Sequence, residues 1–369
     1  MAIAPHDDVD IQDDDAIAAA AGRSNPKSDD QASRAAPGSP GASVAAMKGH
    51  SRLKSLFSVA VGLGLFLISL WVLHRWASNV SLDQLAIELG RISILQILMA
   101  IFFTALSFVA LVGYEYYAVR YVHRELPLAK VAIYSFVTQA VAHAVGFAIF
   151  VGATIRYKLY SRHGFNIIDV AKIQVFFTTT FGLGAATLIG IAFVIEPAPL
   201  ALATSIEVPV WRFIGVVLLA IVLSFILFEL WFDRPVKIMG HVLALPGPKI
   251  TLLQIFLGIA DLASVAAALH MLMPAGFGID YFELLGIFAA ALTIGLISHV
   301  PGSLGVFESA VILMVQPSPE LTAPLIGALI AFRAIYYMLP LIVGSLTLGA
   351  IELRRGVIRA RHRRSNPLS

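Results

Sequence analysis

Cysteine is missing altogether from the 369 residues. That absence excludes disulfides, thiolate metal sites and a cysteine nucleophile, and it leaves the compartment open. Charge is scarce as well: Asp, Glu, Lys and Arg make up 13% of the chain, against about a quarter in an ordinary soluble domain. No G-x-S-x-G, P-loop, H-E-x-x-H or dinucleotide fingerprint occurs, so no common catalytic constellation can be read from the chain. The first 46 residues hold no apolar core after a basic start, and so do not read as a signal peptide.

What is present in excess is apolar sequence, 58% of the chain. Long runs lie at Leu56–Leu73, Ile92–Tyr114, Val131–Val151, Val170–Ile195, Phe213–Phe232, Ile250–Met273, Phe282–Ser298, Leu304–Val315 and Leu321–Leu353. Crossing the hydrocarbon of a bilayer takes about 20 residues of helix. The expected class is an all-α polytopic integral membrane protein with six to eight transmembrane helices. Two broken or re-entrant segments are expected among them, in an arrangement compatible with an inverted repeat. Residues 1–50 form an Asp-, Ala-, Ser- and Pro-rich tail expected to be disordered, 51–355 the membrane domain, and 356–369 a basic tail. Met47 opens a fresh basic-then-apolar stretch, which makes it a second candidate start.

The first 50 residues carry eight Asp against four Lys or Arg, so the remainder is more basic than the overall +3. The basic residues cluster beside apolar runs, where the positive-inside rule puts them. The run at Arg354–Arg364 follows an apolar helix and suits anionic headgroups better than nucleic acid. Lys48, Arg52 and Lys54 set the N-terminus in the cytoplasm, as Arg354–Arg364 does for the C-terminus. The loops at Arg120–Lys130 and at Arg156–Lys172 both ask for the cytoplasm, although the apolar run Val131–Val151 lies between them. Either that run is re-entrant, or Arg156 and Lys158 break the rule for function. Phe282–Val315 raises the same question from the opposite face.

The second interruption reads His299-Val-Pro301-Gly302-Ser-Leu-Gly305-Val-Phe-Glu308. Freed backbone in hydrocarbon costs several kcal/mol per group, so such breaks survive only against protein or a watery cavity. An ionisable residue at that depth points to function. A half-helix from Leu304 to Val315 would turn its positive end toward Gly302–Leu304, ready for an anion such as a lipid phosphate. Glu308 would then meet a cation or a headgroup amine; the plainer reading is a kinked helix whose Glu caps backbone. Arg156 and Lys158, inside Gly152-Ala-Thr-Ile-Arg-Tyr-Lys-Leu-Tyr-Ser-Arg162, suit phosphate contact or simple interfacial anchoring. Glu115, Asp261 and Arg333 are isolated charges in apolar surroundings, and Asp261 and Arg333 could pair across helices. Gln139 and His143 fit a polar core or a substrate path. His241 and His270 read as interfacial, and the glycine pairs Gly62/Gly64 and Gly182/Gly184 as helix-packing positions.

At ISHVPGSLGVFE, AFRAIYYMLPLIVG and AHAVGFAIFVGATIRYKLYSRHGFN the chain resembles the membrane region of the lysylphosphatidylglycerol synthase/flippase (MprF-type) family, over about Arg52–Arg355. The resemblance implies an inner-membrane, flippase-like module that moves aminoacylated phosphatidylglycerol between leaflets. It makes Arg156, Lys158, Pro301, Gly302, Gly305, Glu308 and Arg333 substrate-path residues. Two positions depart from the family pattern: its Pro-Gly-Gly is Pro301-Gly302-Ser303 here, and an acidic position expected to be Asp is Glu115. The chain ends at Ser369 without room for the family's cytosolic aminoacyl-transferase domain, so lipid synthesis is not expected. A stand-alone form of this kind implies a membrane phospholipid as substrate and no cofactor, metal or nucleic acid, and it leaves room for a homo-oligomer. The runner-up is a non-transporting scaffold for a separate lipid-modifying synthase or glycosyltransferase of a glycolipid or hopanoid pathway. An intramembrane enzyme ranks third, for want of a nucleophile–base pair.

Overall fold

The computed structural model describes residues 82–365, apart from 146–147, 232–235, 239–240, 244–245 and 299. The expected tail at 1–50, the run Leu56–Leu73, Gly62/Gly64, the candidate start Met47 and the extreme C-terminus lie outside the described residues. The fold is an all-α polytopic membrane protein, with helices α1 (Leu82–Arg91), α2 (Ile94–Tyr121), α3 (Leu128–Val145), α4 (Ala148–Tyr160), α5 (Ile167–Ile195) and α6 (Ala198–Thr204). Helix α7 (Val208–Trp231) and a small antiparallel hairpin of β1 (Val236–Ile238) and β2 (His241–Leu243) follow. The chain then forms α8 (Pro248–Leu272), α9 (Tyr281–Ser298), α10 (Val306–Val315), α11 (Pro319–Arg333) and, after a π-helical turn at Ala334–Met338, α12 (Leu339–Ser365). Helix α12 thus carries on through most of the basic run expected as a separate tail.

Among the described residues six helices are long and apolar enough to cross a membrane: α2, α5, α7, α8, α9 and the continuous Pro319–Leu353. Local sequence sets their ends. Ser93 and Gln96 exchange hydrogen bonds with each other's backbone at the start of α2, and Asn166 and Asp169 do the same at α5, which satisfies backbone donors that a helix start leaves open. Phe213, Ile221, Leu223 and Trp231 of α7 are exposed, as a lipid-facing surface requires. The core is gathered by α2, α5, α8, α9, α10 and α11.

Glycine allows the closest crossing. A side chain on Gly184 of α5 would collide with the backbone of Gly258 of α8, and the reverse also holds. Gly182, expected to share that packing role, meets nothing within 4 Å. Gly258 carries no mark in the sequence that singles it out.

The charge-parity conflict resolves as a hairpin. Tyr134, near the start of α3, lies with its ring 5.5 Å from that of Tyr160 at the end of α4, and its hydroxyl sits 3.1 Å from His163 Nε2. Helices α3 and α4 therefore start and finish at one end of the molecule. Arg124 binds Asp169 at 3.0 Å and Arg162 binds Glu352 at 2.5 Å at that same end, so both basic loops share it. Helix α9 runs in and α10 runs back: Phe288 and Phe307 pack at 5.8 Å, and Gly295 faces Ser303. Gly286, early in α9, lies against Glu196 at the far end of α5, so this second hairpin enters from the opposite end. Long helix, hairpin, long helix is thus written twice with opposite polarity, in α2 to α5 and in α8 to α12. The tip of the second hairpin, Pro301–Ser303, packs against α3 of the first.

Candidate functional site

Among the described residues, the site residues expected from the sequence fall mainly into three polar assemblies. The first joins hairpin one to α2. Arg156 of α4 is 1% exposed and Glu115 of α2 fully buried. Arg156 Nε donates to both Glu115 oxygens at 2.9 and 3.0 Å, and its Nη2 to Oε2 at 2.7 Å. Its remaining arm, Nη1, donates to Gln174 Oε1 at 2.6 Å, and the guanidinium lies 4.5 Å from the Phe177 ring centroid. A Cβ at position 152 would stand 3.0 Å from Nη1, so Gly152 leaves room for the guanidinium one turn away.

The second assembly fastens the tip of hairpin two. Arg333, at the end of α11, binds Glu308 Oε1 through Nε and donates to the carbonyls of Gly302 at 2.6 Å and Ser303 at 3.1 Å. Its guanidinium stacks over Tyr337 at 4.4 Å. The turn between the two arms bends through left-handed backbone at Gly302 (φ 60°), Ser303 (φ 50°) and Gly305 (φ 76°), which glycine adopts freely and serine does not. Helix α10 begins at Val306 rather than at the expected Leu304, and Glu308 Oε2 accepts the Gly305 N–H at 2.9 Å. The expected anion site at Gly302–Leu304 is therefore filled from within, since the carboxylate of Glu308 already takes the positive helix end. Pro301 opens this turn, whereas His299 lies outside the described residues.

The third assembly is buried as well. Asp261 of α8 accepts from Ser107 Oγ at 2.5 Å and from the Tyr114 hydroxyl at 3.3 Å, and Ser107 Oγ stands 3.5 Å from the Tyr336 hydroxyl. His143 stacks on Tyr336 at 6.2 Å between ring centroids. The expected pairing of Asp261 with Arg333 is not made, because Glu308 and two carbonyls take the arginine's donors. Ser107, Tyr114, Tyr336 and Gln174 escaped the sequence reading. Tyr114 borders Glu115 within Gly113-Tyr-Glu-Tyr-Tyr, the one signal that could have found it.

Lys158 is about half exposed at the end where α3 starts and α4 finishes, 3.6 Å from Glu352, which Arg162 also binds. His270 closes on the Ile279 carbonyl at 3.3 Å and on the Tyr281 ring at the end of α8; the His241 side chain is outside the described set. His163, outside the spans, has its pKa held below the usual histidine value by partial burial and then by nearby Lys130 and Arg162. Among the described residues no three His, Asp or Glu side chains gather as a metal site would need.

No profile of a known protein family matches the chain. Individual proteins do. An uncharacterized protein from Synechocystis is 29% identical over 307 residues, covering 83% of this chain and 95% of that protein. The inner membrane protein YbhN of Escherichia coli is 26% identical over 321 residues, 85% of this chain and 98% of YbhN. A phosphatidylglycerol lysyltransferase of Staphylococcus aureus is 22% identical over 309 residues, 82% of this chain but 35% of that protein. The likeness to the first two runs nearly end to end, whereas the lysyltransferase is matched over about a third of its length.

Proposed function

We propose that this chain is a multi-pass inner-membrane protein with cytoplasmic termini that moves an anionic or aminoacylated phospholipid, such as a phosphatidylglycerol derivative, between leaflets. The observation that carries the reading is the Arg333–Glu308 clasp on the tip of a hairpin that enters from one end and meets a hairpin from the other. Paired interrupted segments of opposite polarity are how transporters build a midplane site. Likeness to YbhN and to a phosphatidylglycerol lysyltransferase supports the membrane and the lipid class.

In this reading the charges exchange partners rather than stand alone. Lys158, partly exposed at the entry end, attracts the lipid phosphate first. The phosphate then competes with Glu308 for Arg333, and with Glu115 for Arg156, each guanidinium offering the planar fork that suits it. A carboxylate released from its arginine meets the ammonium of an aminoacylated headgroup. With an aminoacylated headgroup every charge thus stays paired, which matters because an unpaired buried ion costs about 3–5 kcal/mol. Pro301, Gly302 and Gly305 supply the bend that brings the carbonyls to Arg333.

Purified protein in proteoliposomes with labelled phosphatidylglycerol and its lysyl ester tests this. Arg156→Ala and Glu308→Ala are expected to slow leaflet exchange at least tenfold; unchanged exchange in both removes their roles. The match to about a third of a longer lysyltransferase favours a second reading, a scaffold for a separate lipid-modifying enzyme. Co-purification of such an enzyme without intrinsic lipid movement selects it.

A further inference from the structure

Of the acids in the three assemblies described above, one differs from the other two. Glu115 has Arg156 and Glu308 has Arg333, but among the described residues Asp261 is met only by hydroxyls, those of Ser107 and Tyr114. It lies midway along α8 and is 3% exposed. A carboxylate out of water and without a cation is the costly state, and taking up a proton removes the charge. We propose that Asp261 is a proton-binding site whose occupancy sets the Arg333–Glu308 clasp on the second hairpin. The coupling of that proton to lipid movement rests on the translocase reading; the site itself does not.

The step balances without any oxidant or further reactant. Unprotonated, Asp261 accepts hydrogen bonds from Ser107 and Tyr114. A proton from water forms an O–H bond on Oδ1; that group now donates to Ser107 Oγ, and the serine hydrogen turns to the Tyr336 hydroxyl 3.5 Å away. Tyr336 sits in the π-helical turn Ala334–Met338, a form of turn common at functional sites. The same turn carries Tyr337, on whose ring Arg333 rests, and Tyr336 stacks face to face on Phe332 at 5.5 Å. Neighbouring residues of one turn therefore touch the two places, Tyr336 the proton site and Tyr337 the clasp.

The groups that face Asp261 are few. Tyr114 comes from α2 and Tyr336 from the π turn, and His143 of α3 lies behind Tyr336 with a buried Nδ1 that has no partner among the described residues. On the helices packed against α8, Glu115 is taken by Arg156 and Arg333 by Glu308. Asp169 is held by Arg124, and the Tyr281 hydroxyl donates to the Ala263 carbonyl at 2.9 Å. Tyr116, Tyr117, Arg120, Tyr121, Lys172, Arg212, Glu229, Glu283 and Glu320 lie in the first or last two turns of their helices, as Lys249 and His270 do on α8 itself.

The cysteine-free chain allows a direct test. Spin labels on Val109→Cys of α2 and Leu304→Cys at the hairpin tip, both exposed, report their separation by pulsed electron resonance in phosphatidylglycerol nanodiscs. The distance distribution is expected to shift between about pH 5 and about pH 9, the range in which buried carboxyls titrate. In Asp261→Asn it should stay in the acid form at every pH, and Asp261→Glu should keep a transition. A pH-independent distribution in the otherwise native protein, or an unaltered transition in Asp261→Asn, overturns the proposal. If Asp261→Asn does not fold, Ser107→Ala decides: loss of a donor to the carboxylate should move the midpoint to higher pH, and an unmoved midpoint overturns the site. A pH-driven shift without lipid movement in proteoliposomes upholds the proton site and defeats the translocase reading.

Discussion

Glu115 and Arg156 make one of the most completely satisfied ion pairs a membrane interior can hold, with both carboxylate oxygens and three guanidinium nitrogens engaged. Removing one partner leaves the other charged in a medium that will not solvate it, at a cost of about 3–5 kcal/mol, whereas removing both costs far less. Glu115→Gln should therefore lower the thermal unfolding midpoint in detergent sharply, and Glu115→Leu with Arg156→Met should recover most of the loss. A midpoint unchanged in Glu115→Gln would contradict the pairing. Glu115 stood out in the sequence as a lone charge and Arg156 beside Lys158 in a basic boundary motif, yet nothing in the chain announced their partnership across 41 positions. Ser107 and Tyr336 gave even less sign, because a serine or tyrosine in an apolar helix has many local uses. Their role emerges only where helices meet.

Among the elements, the second hairpin was the more legible in outline. The Pro-Gly pair and the buried acid announced an interruption, and the interruption is there. Its detail was not legible: the half-helix starts two residues later than expected, and its carboxylate turns back on its own first turn. Gly305 holds a left-handed backbone that costs a side-chain-bearing residue about 1–2 kcal/mol. Gly305→Ala should destabilise by about that amount in detergent melting curves, while Ser303→Gly should not destabilise, since it removes a serine from the same kind of backbone. Equal losses in both variants would refute the account of the turn. At the α5–α8 crossing, Gly184→Leu should be far more damaging than Gly182→Leu, because only Gly184 meets the backbone of Gly258. Melting of the two variants side by side checks it. The first hairpin was one of two readings that charge left open, and the apolar pattern gave no sign of it, since Val131–Val151 is as long as a span.

At the scale of the whole molecule, charge carried the information. Arg120, Arg124, Lys130, Lys158, Arg162 and Lys172 belong to one end, and Glu196, Glu207, Asp280 and Glu283 to the other, as the chain's connections require. Cysteines placed singly at Lys130 and Lys158 should label from one face of the membrane, and one at Glu207 from the other; labelling of Lys130 and Lys158 positions from opposite faces would break the hairpin. The doubled order of long helix, hairpin and long helix could not be seen in residue identities, because inverted halves share polarity and packing rather than sequence. Leaflet exchange of a labelled phosphatidylglycerol derivative tests the central claim most directly, measured in proteoliposomes with native protein, with folded Glu308→Gln and with no protein. Native protein should raise the rate at least tenfold over protein-free vesicles, and Glu308→Gln should return it to that baseline. A native rate equal to the baseline, or a variant rate equal to native, would contradict the account.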